Sequence, residues 1–143
     1  MKTRITLLVA LLFLGFNFTT AQGNEEDMNT LSIFSEYAKA KNYDAAYEPW
    51  MQLRKRNPKF NRAIFTYGEN ILEHKIENSK GAEQVAFIKD LVAMWEERRM
   101  HFASKTDDGE FLAKSCQLQY DYRNELNMTD SQLYDCFDNA YKT

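Results

Sequence analysis

Glycine and proline are scarce, five and two among 143 residues, and with a high aromatic content this favours helices packed through large side chains. The chain carries no GxSxG elbow, no P-loop and no GxGxxG turn. It also lacks a CxxC redox pair and an HExxH zinc motif. Its two histidines, His74 and His101, have no His, Cys, Asp or Glu partner at a familiar metal-binding spacing. Asp107-Asp108-Gly109 lacks the alternating ligands and distant glutamate of a calcium loop. No cofactor, metal site or catalytic residue is therefore expected. Basic excess is missing as well: 18 Lys and Arg stand against 21 Asp and Glu. Nucleic-acid affinity comes largely from neutralising phosphates, so a nucleic-acid partner is not expected.

The ends of the chain carry the next signal. Lys2 and Arg4 precede a mostly apolar run from Ile5 to Phe18, and Thr19-Thr20-Ala21 supplies small residues before Gln22. This is the pattern of a signal peptide over residues 1–21. The run is shorter than the roughly 20 apolar residues of a membrane span, and no second such run follows. Removing Lys2 and Arg4 leaves 16 basic against 21 acidic residues, a formal net charge of −5. An exported protein of the periplasm or cell envelope is expected, with no integral membrane segment after cleavage. Residues 22–28 are acidic and read as a flexible N-terminus. Residues 29–143, about right for one modest core, form the folded domain.

Within that domain the apolar residues recur with the helical period. Leu31, Phe34, Tyr37, Ala38 and Lys41 mark a first helix; Ala46, Trp50 and Leu53 mark a second, stopped at Asn57-Pro58. A third runs from about Asn61 to Ile76 with Gly68 in its middle, where a small residue admits a close neighbour. A fourth spans about Ala82 to Phe102, and a fifth Glu110 to Leu126. Thr129-Asp130-Ser131-Gln132 fits a capping box before a sixth helix with Leu133, Cys136, Phe137, Ala140 and Tyr141 on one face. No segment alternates with period two, so the fold class is all-α.

The segment Tyr37 to Pro58 resembles a tetratricopeptide (TPR) repeat. Tyr37, Tyr43, Ala46, Trp50, Leu53 and Pro58 fall on its aromatic, small and proline positions, and Gly68 fits the next hairpin. Phe34 stands where a small residue is usual, and Lys41 where glycine often closes the turn. With the export signal and the Tyr43 to Trp50 segment, the chain is similar to exported TPR-containing proteins of the Bacteroidetes type. That resemblance implies a right-handed αα-hairpin solenoid of about three hairpins. Trp50, Trp95 and Phe137 recur at periods of 45 and 42 residues, longer than the roughly 34 of a TPR unit. The array is expected to continue beyond Thr143 in a longer protein.

The resemblance also implies a non-enzymatic scaffold that binds a protein or peptide through a groove lined by the first helix of each hairpin. The groove residues would be Leu31, Ser35, Ala38, Lys39, Asn61, Phe65 and Glu69. Two other classes stay open: an N-terminal accessory domain of a longer exported enzyme, and a structural envelope protein that self-associates through its open repeat end. The basic cluster Lys39, Lys41, Arg54, Lys55, Arg56, Lys59 and Arg62 reads as a solvated helix end complementing the helix dipole. Tyr120, Tyr122, Tyr134 and Tyr141 are either core or anchors for a bound peptide. A hairpin turn centred near residues 127–128 sets Cys116 and Cys136 about 4 Å out of register on antiparallel helices. They form a disulfide in an oxidising compartment or two buried thiols packed as small apolar groups.

Overall fold

The computed structural model describes residues 23–105 and 107–143; residues 1–21, read as a signal peptide, lie outside it. The described residues fold into six helices without a strand. The first, α1, occupies residues 23–39. It is followed by α2 (Tyr43–Arg56), α3 (Ala63–Glu77), α4 (Gly81–His101), α5 (Asp108–Asp121) and α6 (Asp130–Lys142), with a short 3₁₀ turn at Ala103–Lys105. From α2 onward each helix packs on the next in the chain. Helices two apart also touch. The ring of Phe34 in α1 meets Tyr67 in α3, Tyr47 in α2 meets Phe87 in α4, and Lys114 in α5 bonds Glu69 in α3.

One apolar cluster runs through the molecule, and Trp50 lies fully buried within it beside Phe34, Phe65, Ile71, Leu91 and Met94. Its indole N–H donates to the Ile64 carbonyl at 2.7 Å. Gly68 lies one turn further along α3 and makes the approach workable. A Cβ at residue 68 would sit 2.7 Å from Trp50 Nε1 and 2.7 Å from Met94 Sδ. The glycine admits the indole and the thioether against bare backbone.

The inward face of α1 is set by Asp27, Phe34 and Ala38, all buried, at i, i+7 and i+11 on one helical stripe. Residues 23–28, expected to be flexible, are helical instead. The cause is long-range: Asp27 accepts from Arg56 Nε and from Asn57 Nδ2, each at 2.8 Å, at the end of α2. The same rotation places Tyr37, read from the repeat pattern as core, outside at 42% exposure. Phe34 fills the core in its place.

Local chemistry fixes the helix ends. Lys41 adopts φ +58° and closes α1 with two bonds, from its own N–H to Ala38 O and from Asn42 N–H to Tyr37 O. That pairing is a Schellman motif with lysine where glycine is usual. The capping box forms at α6, with Thr129 Oγ1 accepting from Gln132 N and Gln132 Oε1 from Thr129 N. At α5 the start moves earlier than expected, because Asp107 caps it by accepting from Glu110 N at 3.0 Å. Its end also moves, from Leu126 to Asp121: residues 122–127 form turns closed by Asn127 at φ +53°. Cys116 and Cys136 form a disulfide between α5 and α6. Leu133 is the only other α6 residue held firmly, since no further α6 side chain is buried.

Two predictions follow from these contacts. Gly68→Ala gains helix propensity but forces the added methyl onto the bonded indole, so it is expected to destabilise the protein by about 1–3 kcal/mol. Urea denaturation checks it; an unchanged or raised midpoint would contradict the close approach. Reducing the disulfide opens a link of sequence separation 20, which is expected to cost roughly 3 kcal/mol. Far-UV circular dichroism during heating, with and without reductant, reads the loss, which should begin with the helicity of α6. Superimposable curves would show that the bridge contributes nothing.

Candidate interaction surface

The seven residues expected to line a groove do not share one surface. Ser35 and Ala38 are buried, and Phe65 is fully enclosed with its ring 5.8 Å from that of Phe102 in an edge contact. These three are corrected from groove to core, for the reason that rotates Tyr37 outward: α1 turns its Phe34 stripe inward, and α3 turns Ile64 and Phe65 with Gly68. Leu31 is half-buried and packs on the core. Glu69 is drawn against α5 by Lys114 Nζ at 3.1 Å. Only Lys39 and Asn61 stand in solvent. Lys39 is paired with Glu36 at 2.8 Å, and Asn61 Oδ1 accepts from Ala63 N at the start of α3.

The basic cluster also divides. Arg54, read as part of a solvated face, is 6% exposed. Its guanidinium lies 5.3 Å from the Trp50 ring centroid. It donates to Glu97 through Nε (2.9 Å) and Nη2 (2.8 Å), and to Asp90 through Nη1 (2.9 Å). Burial pulls its pKa down, but the Glu97 and Asp90 carboxylates outweigh that and raise it. A cleft of about 400 Å³ opens beside this triad, bordered by Met51, Pro58 and His101. Both carboxylates bond the one guanidinium, which leaves the triad one negative charge in excess beside Lys55, a further residue of the cleft wall. The signal for this site was the spacing of Arg54, four residues after Trp50 and therefore on its face.

A smaller cleft, about 190 Å³, lies between Tyr43, Asn70, Glu73, His74 and Glu77. His74 packs on the Tyr43 ring at 5.3 Å and approaches Asp44 through Nε2 at 3.5 Å. Lys75 bonds the same Asp44 carboxyl and, with His74, lowers its pKa. Partial burial raises the Glu73 carboxyl, and the like charges of Glu69 and Glu77 raise it further. Among the described residues no group of three or more His, Cys, Asp or Glu could hold a metal ion, and no helix is long and apolar enough to cross a membrane.

Aromatic side chains also face outward on α6. Tyr134, Phe137 and Tyr141 follow an i, i+3, i+7 spacing on one face, at 70%, 38% and 91% exposure. Tyr120 of α5 is also exposed, whereas Tyr122 packs on the core. Aromatic rings of this kind supply large, rigid contact area with a polar tip.

A carboxyl whose folded pKa lies above its unfolded value binds its proton more tightly in the folded chain. The stability it contributes is present at acid pH and lost as pH rises through the folded value. Glu73→Gln removes that loss. The variant is expected to melt about 1–2 °C higher at pH 7 and level with the parent at pH 3.5. Paired melting curves at the two pH values check this, and a variant less stable at pH 7 would contradict the assigned environment.

Compared with known proteins, the chain matches no family model, no curated protein and no solved structure.

Proposed function

We propose that this chain is an exported, TPR-like scaffold of the cell envelope that holds a protein or peptide partner and performs no chemistry of its own. The observation that carries the reading is the aromatic face of α6, where Tyr134, Phe137 and Tyr141 stand outward together. Aromatic side chains are enriched at the energetic centres of protein interfaces. Exposed apolar surface gathered on one face is a recurrent mark of a binding site. The helical-repeat reading is supported by packing between successive helices and between helices two apart, the pattern of hairpins stacked into a solenoid.

Affinity capture of the tagged, full-length gene product from its native envelope tests the proposal. One stoichiometric partner is expected with the parent protein. Its recovery should fall at least about tenfold with Tyr134→Glu and Tyr141→Glu combined, while circular dichroism stays unchanged. Loss with Lys39→Glu but not with the α6 pair would move the contact to the α1–α3 side. Recovery of the protein alone would count against the scaffold reading.

A further inference from the structure

Ile88 and Val92 of α4, Gln119 of α5 and Leu126 and Met128 of the following turn line an open-mouthed cavity of about 220 Å³, together with Lys89. This cavity is walled mainly by aliphatic side chains and reaches the buried Ile88. Two polar groups border it, and both keep unused bonding capacity. Gln119 donates through Nε2 to Ser115 O and Ser115 Oγ, each at 3.1 Å. The Ser115 carbonyl can only accept, which fixes the amide orientation and leaves Gln119 Oε1 without a donor among the described residues. Lys89 is exposed and has no carboxylate partner among them.

An apolar cavity of about 150 Å³ accommodates benzene. The larger volume here suits one aromatic ring with a short arm. An anionic arm would answer the unpaired ammonium, and a hydroxyl on the ring would answer the free amide oxygen. We propose that this cavity binds a small hydroxylated aromatic monocarboxylate, ring inside, carboxylate on Lys89 and hydroxyl on Gln119. The proposal stands apart from the partner-binding reading, since no α6 ring lines the cavity.

The test titrates the purified protein with 4-hydroxyphenylacetate, following methyl NMR signals of Val92, Leu126 and Met128. Saturable shifts below about 10 mM are expected. Phenylacetate, lacking the hydroxyl, and 4-methylphenol, lacking the carboxylate, should each bind at least about threefold more weakly. Lys89→Glu should remove the preference for the acid over 4-methylphenol, and Lys55→Glu, beside another cleft, should leave it intact. Two filling variants, Val92→Phe in α4 and Met128→Trp in the turn, should each abolish binding; circular dichroism identifies whichever is folded. Shifts that do not saturate, or that survive a folded filling variant, would overturn the site. Equal affinity for 4-methylphenol and the acid would overturn the assignment of a carboxylate ligand.

Discussion

The indole N–H of Trp50 donates to the Ile64 carbonyl at 2.7 Å, and it reaches that oxygen because residue 68 has no side chain. An indole nitrogen buried without an acceptor would lose its bonds to water and gain nothing in return. The carbonyl has two lone pairs, one for the helical ladder of α3 and one for Trp50. A single geometric condition, bare backbone at Gly68, therefore satisfies the largest fully buried side chain among the described residues and fixes the distance between α2 and α3. Met94 fills the other side of the same gap, so α4 is placed by it too. Phe34, Ile71 and Leu91 then pack around a point already determined.

The Arg54 triad is the polar counterpart of that contact and depends on it. Arg54 follows Trp50 by one turn, so seating the indole carries the guanidinium inward to 6% exposure. A buried arginine left unpaired would be strongly destabilising; paired, it is close to neutral against an apolar replacement of similar size. What the triad contributes is register. Asp90 and Glu97 are seven residues apart, two turns of one stripe of α4, and both meet the same guanidinium from α2. Sliding α4 by one turn would separate at least one carboxylate from its partner, whereas apolar packing alone discriminates less sharply between such positions.

How much of this was legible depends on how local the cause was. The helix count and the Thr129–Gln132 capping box could be read from spacing because each is decided within a few residues; Gly68 could be read as a point of close approach, but not the Trp50 and Met94 side chains that approach it. Lys41 could be read as the turn closer even though its residue type is unusual there. The rotation of α1 could not. Tyr37 and Phe34 both fit the apolar period, and only the Asp27–Arg56 pair, made between residues 29 positions apart, decides which one faces inward. The groove assignment failed with it, since Ser35 and Ala38 moved into the core on the same rotation. The carboxylate partners of Arg54 were equally invisible, because Asp90 and Glu97 look like ordinary residues of a charged helix until α4 is packed on α2.

The aromatic face of α6 follows from how little of that helix the core retains. Leu133 alone is buried by packing, too small an apolar contribution to hold a helix of 13 residues against its conformational entropy. The disulfide supplies what packing does not, by restricting the unfolded chain rather than by covering surface. A covalent tether leaves the rest of the helix free to face outward, so Tyr134, Phe137 and Tyr141 need not be buried for α6 to form. The bridge and the exposed rings are thus two aspects of one arrangement. In an oxidising compartment such a tether persists, and with it the outward placement of the rings.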